Sequence, residues 1–302
     1  MRGSLFAVVA FALSLGGGAA AAQPVPAGEP APVVMAQGYT LASTVMDQPR
    51  RLNVWLPPSY AEGNARYPVL YVLDGGEGQD FHHISGLAQL ATISGTMQDL
   101  IVVGVESRDR RNELTARTED PRHVQAWPTH GQSDRFRRHL AEEVIPFVEG
   151  RFRTSGETAV MGESLAALFV VETFLRKPAL FDRYIAISPS LWWDYQRLAK
   201  EAPALLAKHD AAPRTLWLSI ADEGGTMQAG IDKLRAALTA GAPVGLKWSY
   251  RARPGENHAT TYHPAALDAL RELYGLPPYW DEKAPLPWWL SDEAPASAAP
   301  AK

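Results

Sequence analysis

Residues 158–175 read TAVMGESLAALFVVETFL. Residues 158–161 are apolar or β-branched and are stopped by a glycine, which predicts a short strand. Residues 165–175 carry the apolar density of a packed helix. Gly162-Glu163-Ser164-Leu165-Ala166 lies between the two. A strand, a sharp turn and a helix with serine at the apex expose that hydroxyl on a strained backbone. The same serine stands at a helix N-terminus, where free N–H groups and the helix dipole favour a developing oxyanion. Ala166 stands where the G-x-S-x-G pattern has its last glycine, the smallest departure a crowded turn allows. A serine there is also an ordinary N-cap, so its meaning depends on what surrounds it.

The surroundings alternate between strand and helix. Residues 67–73 (YPVLYVL) and 100–105 (LIVVGV) are continuous apolar runs bounded by turn residues, as in parallel strands buried on both faces. Residues 184–187, 216–220 and 246–250 predict further strands. Residues 136–148, 231–238 and 265–274 predict helices, and residues 40–46 and 51–56 a hairpin turning at Asp47-Gln48-Pro49. This alternation predicts an α/β fold: a mostly parallel central sheet with helices on both faces and an N-terminal β-hairpin. Such sheets place their chemistry at the carboxyl ends of the strands.

Composition excludes several classes. The chain has 302 residues, 46% hydrophobic and 21% charged, with 29 Lys plus Arg against 33 Asp plus Glu. That is globular composition without a global basic field, which argues against a nucleic-acid partner. There are no cysteines, so thiol catalysis and disulfides drop out. Met1-Arg2, an apolar run and the small residues Ala20-Ala21-Ala22 fit a cleavable signal peptide over residues 1–22. The expectation is a periplasmic or secreted protein with no stable membrane insertion after cleavage. Residues 23–34 read as a flexible leader, 35–290 as one domain and 291–302 as a disordered tail.

A serine hydroxyl needs a base, and there are eight histidines. His258, in Pro254-Gly255-Glu256-Asn257-His258, follows the strand at 246–250 and precedes the last helix. The chain order Ser…acid…His is then respected. His263 is its competitor and reads as a surface or cap residue; His82, His83, His123, His130, His139 and His209 read as solvated side chains. Asp222 and Glu223 both follow the strand at 216–220, and either can orient an imidazole. Leu165 N–H is one candidate oxyanion donor, and Asp74-Gly75-Gly76, after the strand at 67–73, offers another. Arg108, Arg110 and Arg111 follow the strand at 100–105 and Trp192 and Trp193 the strand at 184–187, where they can receive anionic and aromatic groups.

These stretches resemble the esterase family of α/β-hydrolases that holds the enterochelin (enterobactin) esterases, esterase D-like enzymes and, more distantly, the mycolyltransferases. The resemblance rests on YPVLYVLDGGEGQDF at 67–81, VVGVESRDRRNELT at 102–115, FRRHLAEEVIPFVEGRFRT at 136–154, GESLAALF at 162–169, ISPSLWWD at 187–194 and PGENHAT at 254–260. It implies an α/β-hydrolase fold with Ser164 as nucleophile, His258 as base and Leu165 and Gly76 as oxyanion donors. The acid falls at Glu223, with Asp222 adjacent, unless a Ser–His dyad suffices. The departure is GESLAA where GHSLGG is commoner. The expected activity is serine-dependent carboxylic-ester hydrolysis without metal or organic cofactor. The expected partner is a small-molecule ester, with an enterobactin-like catecholate trilactone as the specific substrate. A general carboxylesterase for acetyl, feruloyl or short acyl esters, an acyltransferase and a non-catalytic binding protein on the same scaffold are the competing readings.

Overall fold

The sheet is assembled from alternating two-faced strands, and its order places every candidate residue on one edge. The computed structural model describes residues 28 and 30–277. The expected signal peptide at 1–22, residues 23–27 and 29 of the expected leader, residues 278–290 of the expected domain and the expected tail at 291–302 lie outside the described residues. The strands are β1 (Gln37–Ser43), β2 (Gln48–Trp55), β3 (Tyr67–Leu73), β4 (Ile101–Val105), β5 (Thr154–Glu163), β6 (Arg183–Ile187), β7 (Arg214–Ala221) and β8 (Leu246–Arg253). They form one eight-stranded sheet in the order β1-β2-β4-β3-β5-β6-β7-β8. β2 is antiparallel to β1 and β4, and β3 to β8 run parallel.

The apolar runs are buried on both faces because successive side chains point to opposite sides. Leu70 and Val72 join the layer under α1 (Phe81–Ile93) and α9 (Tyr262–Tyr274), with Ile84, Ala88, Ala265 and Ala269. Val69, Tyr71 and Leu73 join the other layer, with Phe136, Phe169, Leu198 and Leu234. Those four come from α4 (Ser133–His139), α6 (Leu165–Arg176), α7 (Trp193–Leu206) and α8 (Gly225–Gly241). Two short helices, α2 (Arg110–Leu114) and α3 (Pro121–Ala126), lie in the chain after β4, and α5 (Ile145–Arg151) continues from α4.

Several elements differ from expectation. The helix expected at 136–148 runs over α4 and α5 with a π-turn at Leu140–Val144 between them. Pro146 has no N–H to continue the regular ladder, and the wider turn absorbs the gap. The hairpin turn lies on residues 44–47, because Ser43 pairs with Gln48 and Asp47 takes the left-handed φ of 54°. The sequence reading missed α1, whose FHHISGLAQLATI interleaves polar residues with its apolar face. It missed α7 because the left-handed residues Asp194, Tyr195 and Gln196 break its first turn. Among the described residues no helix is long and apolar enough to cross a membrane.

Candidate active site

Ser164 has φ 60° and ψ −119°, a conformation that costs a non-glycine residue free energy and requires support from both sides. Its N–H donates to Ile187 O of β6 at 3.1 Å, and its carbonyl accepts from Leu168 N–H in α6 at 2.9 Å. A Cβ on Gly162 would lie 2.7 Å from Ala166 Cβ, so strand and helix touch there. Residue 162 must therefore be glycine, and residue 166 must be small. Leu165, the first residue of α6, is buried, and its N–H has no carbonyl within the helix to bond.

His258 reaches this serine from the loop after β8. Its Nε2 is 2.9 Å from Ser164 Oγ, and its Nδ1 is 2.5 Å from Glu223 Oε1. The Glu223 side chain is 6% exposed. Asp222 N–H donates to Glu256 O at 2.9 Å and ties the histidine loop to the end of β7. The adjacent residues thus diverge: the Glu223 carboxylate turns inward to the imidazole, while Asp222 is exposed at the cleft. The hydrogen bond to Glu223 raises the His258 pKa above the ordinary histidine value, burial opposes it, and the Glu163 charge adds to the rise. Glu163 Oε1 lies 3.2 Å from the same Nε2 that faces the serine. Burial pushes the Glu163 carboxyl up to about 7, against the pull of His258 and Arg110.

A cleft of about 490 Å³ opens over Ser164. Trp127, Trp192, Trp193, Arg110 and Arg111 line it with Met227. His123 stacks on Trp193 with ring centroids 4.7 Å apart and planes at 19°, and Arg111 lies 5.1 Å over the Trp127 ring. Arg110 Nε donates to Asp74 Oδ2 at 2.6 Å, which fixes the guanidinium beside the cleft while leaving it 37% exposed.

Three expectations need correction. Arg108 is not a cleft residue: its Nη1 donates to Gln48 Oε1 at 3.2 Å, because the chain turns into α2 just after it. Gly76 N–H is not a free donor, since Gln79 folds back and accepts it through Oε1 at 2.8 Å while its amide donates to Ser107 O at 2.9 Å. His123 and His139 are buried, not solvated. Trp127, Ser190 and His123 were missed as site residues. The spacing of His123 on α3 and Trp127 at its C-cap, one helical turn apart, was the available signal. Ser190 Oγ lies 3.3 Å from Ser164 Oγ, and its place after the strand at 184–187 was its signal, as for Trp192 and Trp193.

The Esterase family model, described as "Putative esterase", matches residues 43–267. The chain belongs to this esterase family. It is similar to the ferri-bacillibactin esterase BesA of Bacillus subtilis (strain 168), with 26% identity over 236 residues, 71% of this chain and 81% of that protein. It is also similar to a siderophore enterobactin esterase of Emericella nidulans, with 43% identity over 76 residues, 24% of this chain and 25% of that protein. Among solved structures, an IroE-like serine hydrolase from Shewanella oneidensis matches with a TM-score of 0.70 and 26% identity, covering 79% of this chain and 80% of that one. This esterase is a carboxylic ester hydrolase of the α/β-hydrolase class.

The arrangement in this esterase has the parts that acyl transfer requires. A carboxylate on Nδ1 places the ring proton there and leaves the Nε2 lone pair facing the serine hydroxyl. An N–H at the start of α6 lies next to that hydroxyl in the chain, where negative charge would develop on an attacked carbonyl.

Proposed function

We propose that this esterase is an exported serine hydrolase that opens the ester bonds of a catecholate trilactone siderophore through Ser164, His258 and Glu223. The observation that carries the reading is the line Glu223–His258–Ser164 at the floor of a cleft walled by tryptophans and arginines. Tryptophan faces suit catechol rings, and Arg110 and Arg111 suit the negative charge of catecholates. The names of the similar proteins, esterases of bacillibactin and enterobactin, support the same substrate class. The apolar run and small residues of 1–22 support export.

In this mechanism Ser164 Oγ attacks the ester carbonyl while His258 Nε2 takes its proton. Glu223 holds the imidazole and balances the imidazolium. The Leu165 N–H stabilises the tetrahedral oxyanion, and the Gly76 N–H joins it once Gln79 Oε1 releases it. His258 then returns the proton to the leaving hydroxyl. Water hydrolyses the acyl-enzyme by the same steps in reverse. The chain's own side chains supply every proton transfer in this scheme.

The test uses the chain from Gln23 and its Ser164→Ala variant, each incubated with ferric enterobactin and with p-nitrophenyl butyrate. Ser164-dependent release of linear catecholate–serine fragments is the expected result. Turnover of the butyrate alone would sink the siderophore substrate and favour a general carboxylesterase. Equal turnover by both proteins would sink the serine mechanism.

A further inference from the structure

The roles assigned above leave one buried acid unused. Glu163 ends β5, directly before the nucleophile, and its side chain is 16% exposed. Its Oε1 is 3.2 Å from His258 Nε2, is buried, and has no hydrogen-bond partner. It does not line the cleft, so it meets the base rather than the substrate. The resembling motif commonly has histidine here, and the carboxyl belongs to this chain.

Nε2 therefore faces two oxygens, Ser164 Oγ at 2.9 Å and Glu163 Oε1 at 3.2 Å. An imidazole lone pair and an ionised carboxylate repel each other at that distance. The contact becomes favourable when His258 is protonated, because the ionised carboxylate then faces a cation. In that form Nε2 carries a proton and is unable to accept one from the serine. The groups facing the pair come from every neighbouring element: Glu223 after β7, Arg110 on α2, and Asp80 before α1. Asp74 after β3 is held by Arg110, and the buried Tyr262 hydroxyl on α9 has no partner. Arg110 spends its Nε on Asp74, and its Nη2 reaches only the Glu163 carbonyl oxygen, at 3.5 Å. The Glu163 carboxyl is thus left with His258 as its one close cationic group among the described residues.

We infer that the Glu163 carboxylate holds a proton on His258, that Ser164 is armed only when this proton leaves, and that Glu163 is a positioning residue setting the lower pH limit of the esterase. The inference rests on the proposed roles of Ser164 and His258. The proton departs to solvent through the cleft. His258 then takes the Ser164 proton at Nε2, and the ionised Glu163 beside it stabilises the imidazolium until the proton passes to the leaving alcohol. The carboxylate therefore moves the acidic limb of the pH–rate profile upward and raises the plateau above it. A neutral side chain at 163 gives up both effects.

The experiment measures kcat/KM for p-nitrophenyl butyrate from about pH 5 to 9. It compares the unmodified chain, Glu163→Gln, Glu163→Leu and Ser164→Ala. The acidic midpoint is expected to fall by about half to one pH unit in both Glu163 variants, so the acid-side rate, as a fraction of plateau, rises about three- to tenfold. The plateau is expected to fall in the same two variants. A midpoint that stays in place or rises overturns the inference, because loss of packing alone lowers the rate without moving the midpoint. An active Ser164→Ala overturns the proposed mechanism instead, so the two failures are distinct. If the Glu163 variants do not fold, NMR titration of the His258 ring nitrogens in the unmodified chain decides. Two coupled steps are expected, and a single step at the ordinary histidine value overturns the inference.

Discussion

Ser164, His258 and Glu223 meet in the cleft, and Ser43, His139 and Glu143 meet beneath the β1–β2 turn. In the first group the serine and the acid occupy opposite ring nitrogens, at 2.9 Å and 2.5 Å. In the second they crowd the same one: His139 Nδ1 is 3.2 Å from Ser43 Oγ and 2.6 Å from Glu143 Oε2, while Ser43 also donates to that carboxylate. His139 Nε2 is buried without a partner. A line can relay a proton from serine to ring while the acid balances the charge, and a closed triangle has no such path. Glu143 Oε1 meanwhile accepts the N–H groups of Thr44 and Val45 at 2.7 Å and 2.9 Å, so the second group ties a hairpin turn to the helix layer.

The environments differ in sign as well. His258 is raised, first by its bond to Glu223, and it stands at the solvent edge with 45% of its side chain exposed. His139 is lowered, first by burial, which outweighs Glu143. Burial would raise Glu143, but the bonds from Ser43, Val45, His139 and Thr44 together hold it at about 2. Identical residue types therefore make a reactive site or a structural clamp according to which nitrogen each partner meets.

The largest expected effect separates the two serines. Ser164→Ala should lower kcat by about 10⁴-fold or more with the fold retained, whereas Ser43→Ala should leave kcat within about twofold, its hydroxyl lying off the proton path. Comparable losses in purified, folded variants would break the contrast. Glu223→Gln comes next, at about 10²- to 10⁴-fold in kcat. An equal loss in Asp222→Asn would show that the exposed neighbour shares the role. Steady-state rates should climb with pH and reach half their plateau above the ordinary histidine value of about 6.5, because the raised His258 must lose a proton to act. A profile flat from about pH 5 to 8 would rule out His258 as base.

Glu143→Gln tests the clamp. It should cost about 1–3 kcal/mol of stability near neutral pH and leave kcat nearly unchanged. The folded pKa of Glu143 is depressed, so its contribution is present above about 4.5 and is lost as pH falls toward about 2. The unfolding curves of parent and variant should converge over that interval, and a constant gap would deny the carboxylate its role. The smallest effect is expected at Arg108→Ala, with KM within about twofold, against a several-fold rise for Arg110→Ala. A larger effect at Arg108 would mean that the substrate extends as far as the β1–β2 turn.

Legibility followed the range of the interactions involved. Residues 158–175 announced strand, turn and helix because each depends on neighbours in the chain, and the contact of Gly162 with Ala166 is the physical reason for the small residues there. Trp192 and Trp193 were readable as cleft residues because they follow a strand end in a parallel sheet. Gly76 and Arg108 misled for the same reason: the strand end was correct, but Gln79 and Gln48 claimed the groups that were expected to be free.

The sequence by itself determined the α/β alternation, the serine at its turn, and the order serine, acid, histidine, since patterning and turn chemistry are local. The tertiary structure alone decided that Glu223 rather than Asp222 meets the imidazole, across 35 positions of chain, and that Glu163 meets it from the other side. It alone separated the open line of Ser164 from the closed triangle of Ser43. Which way a side chain turns after its strand ends is set by the path of the loop and by partners far along the chain, and residue identity does not encode that direction.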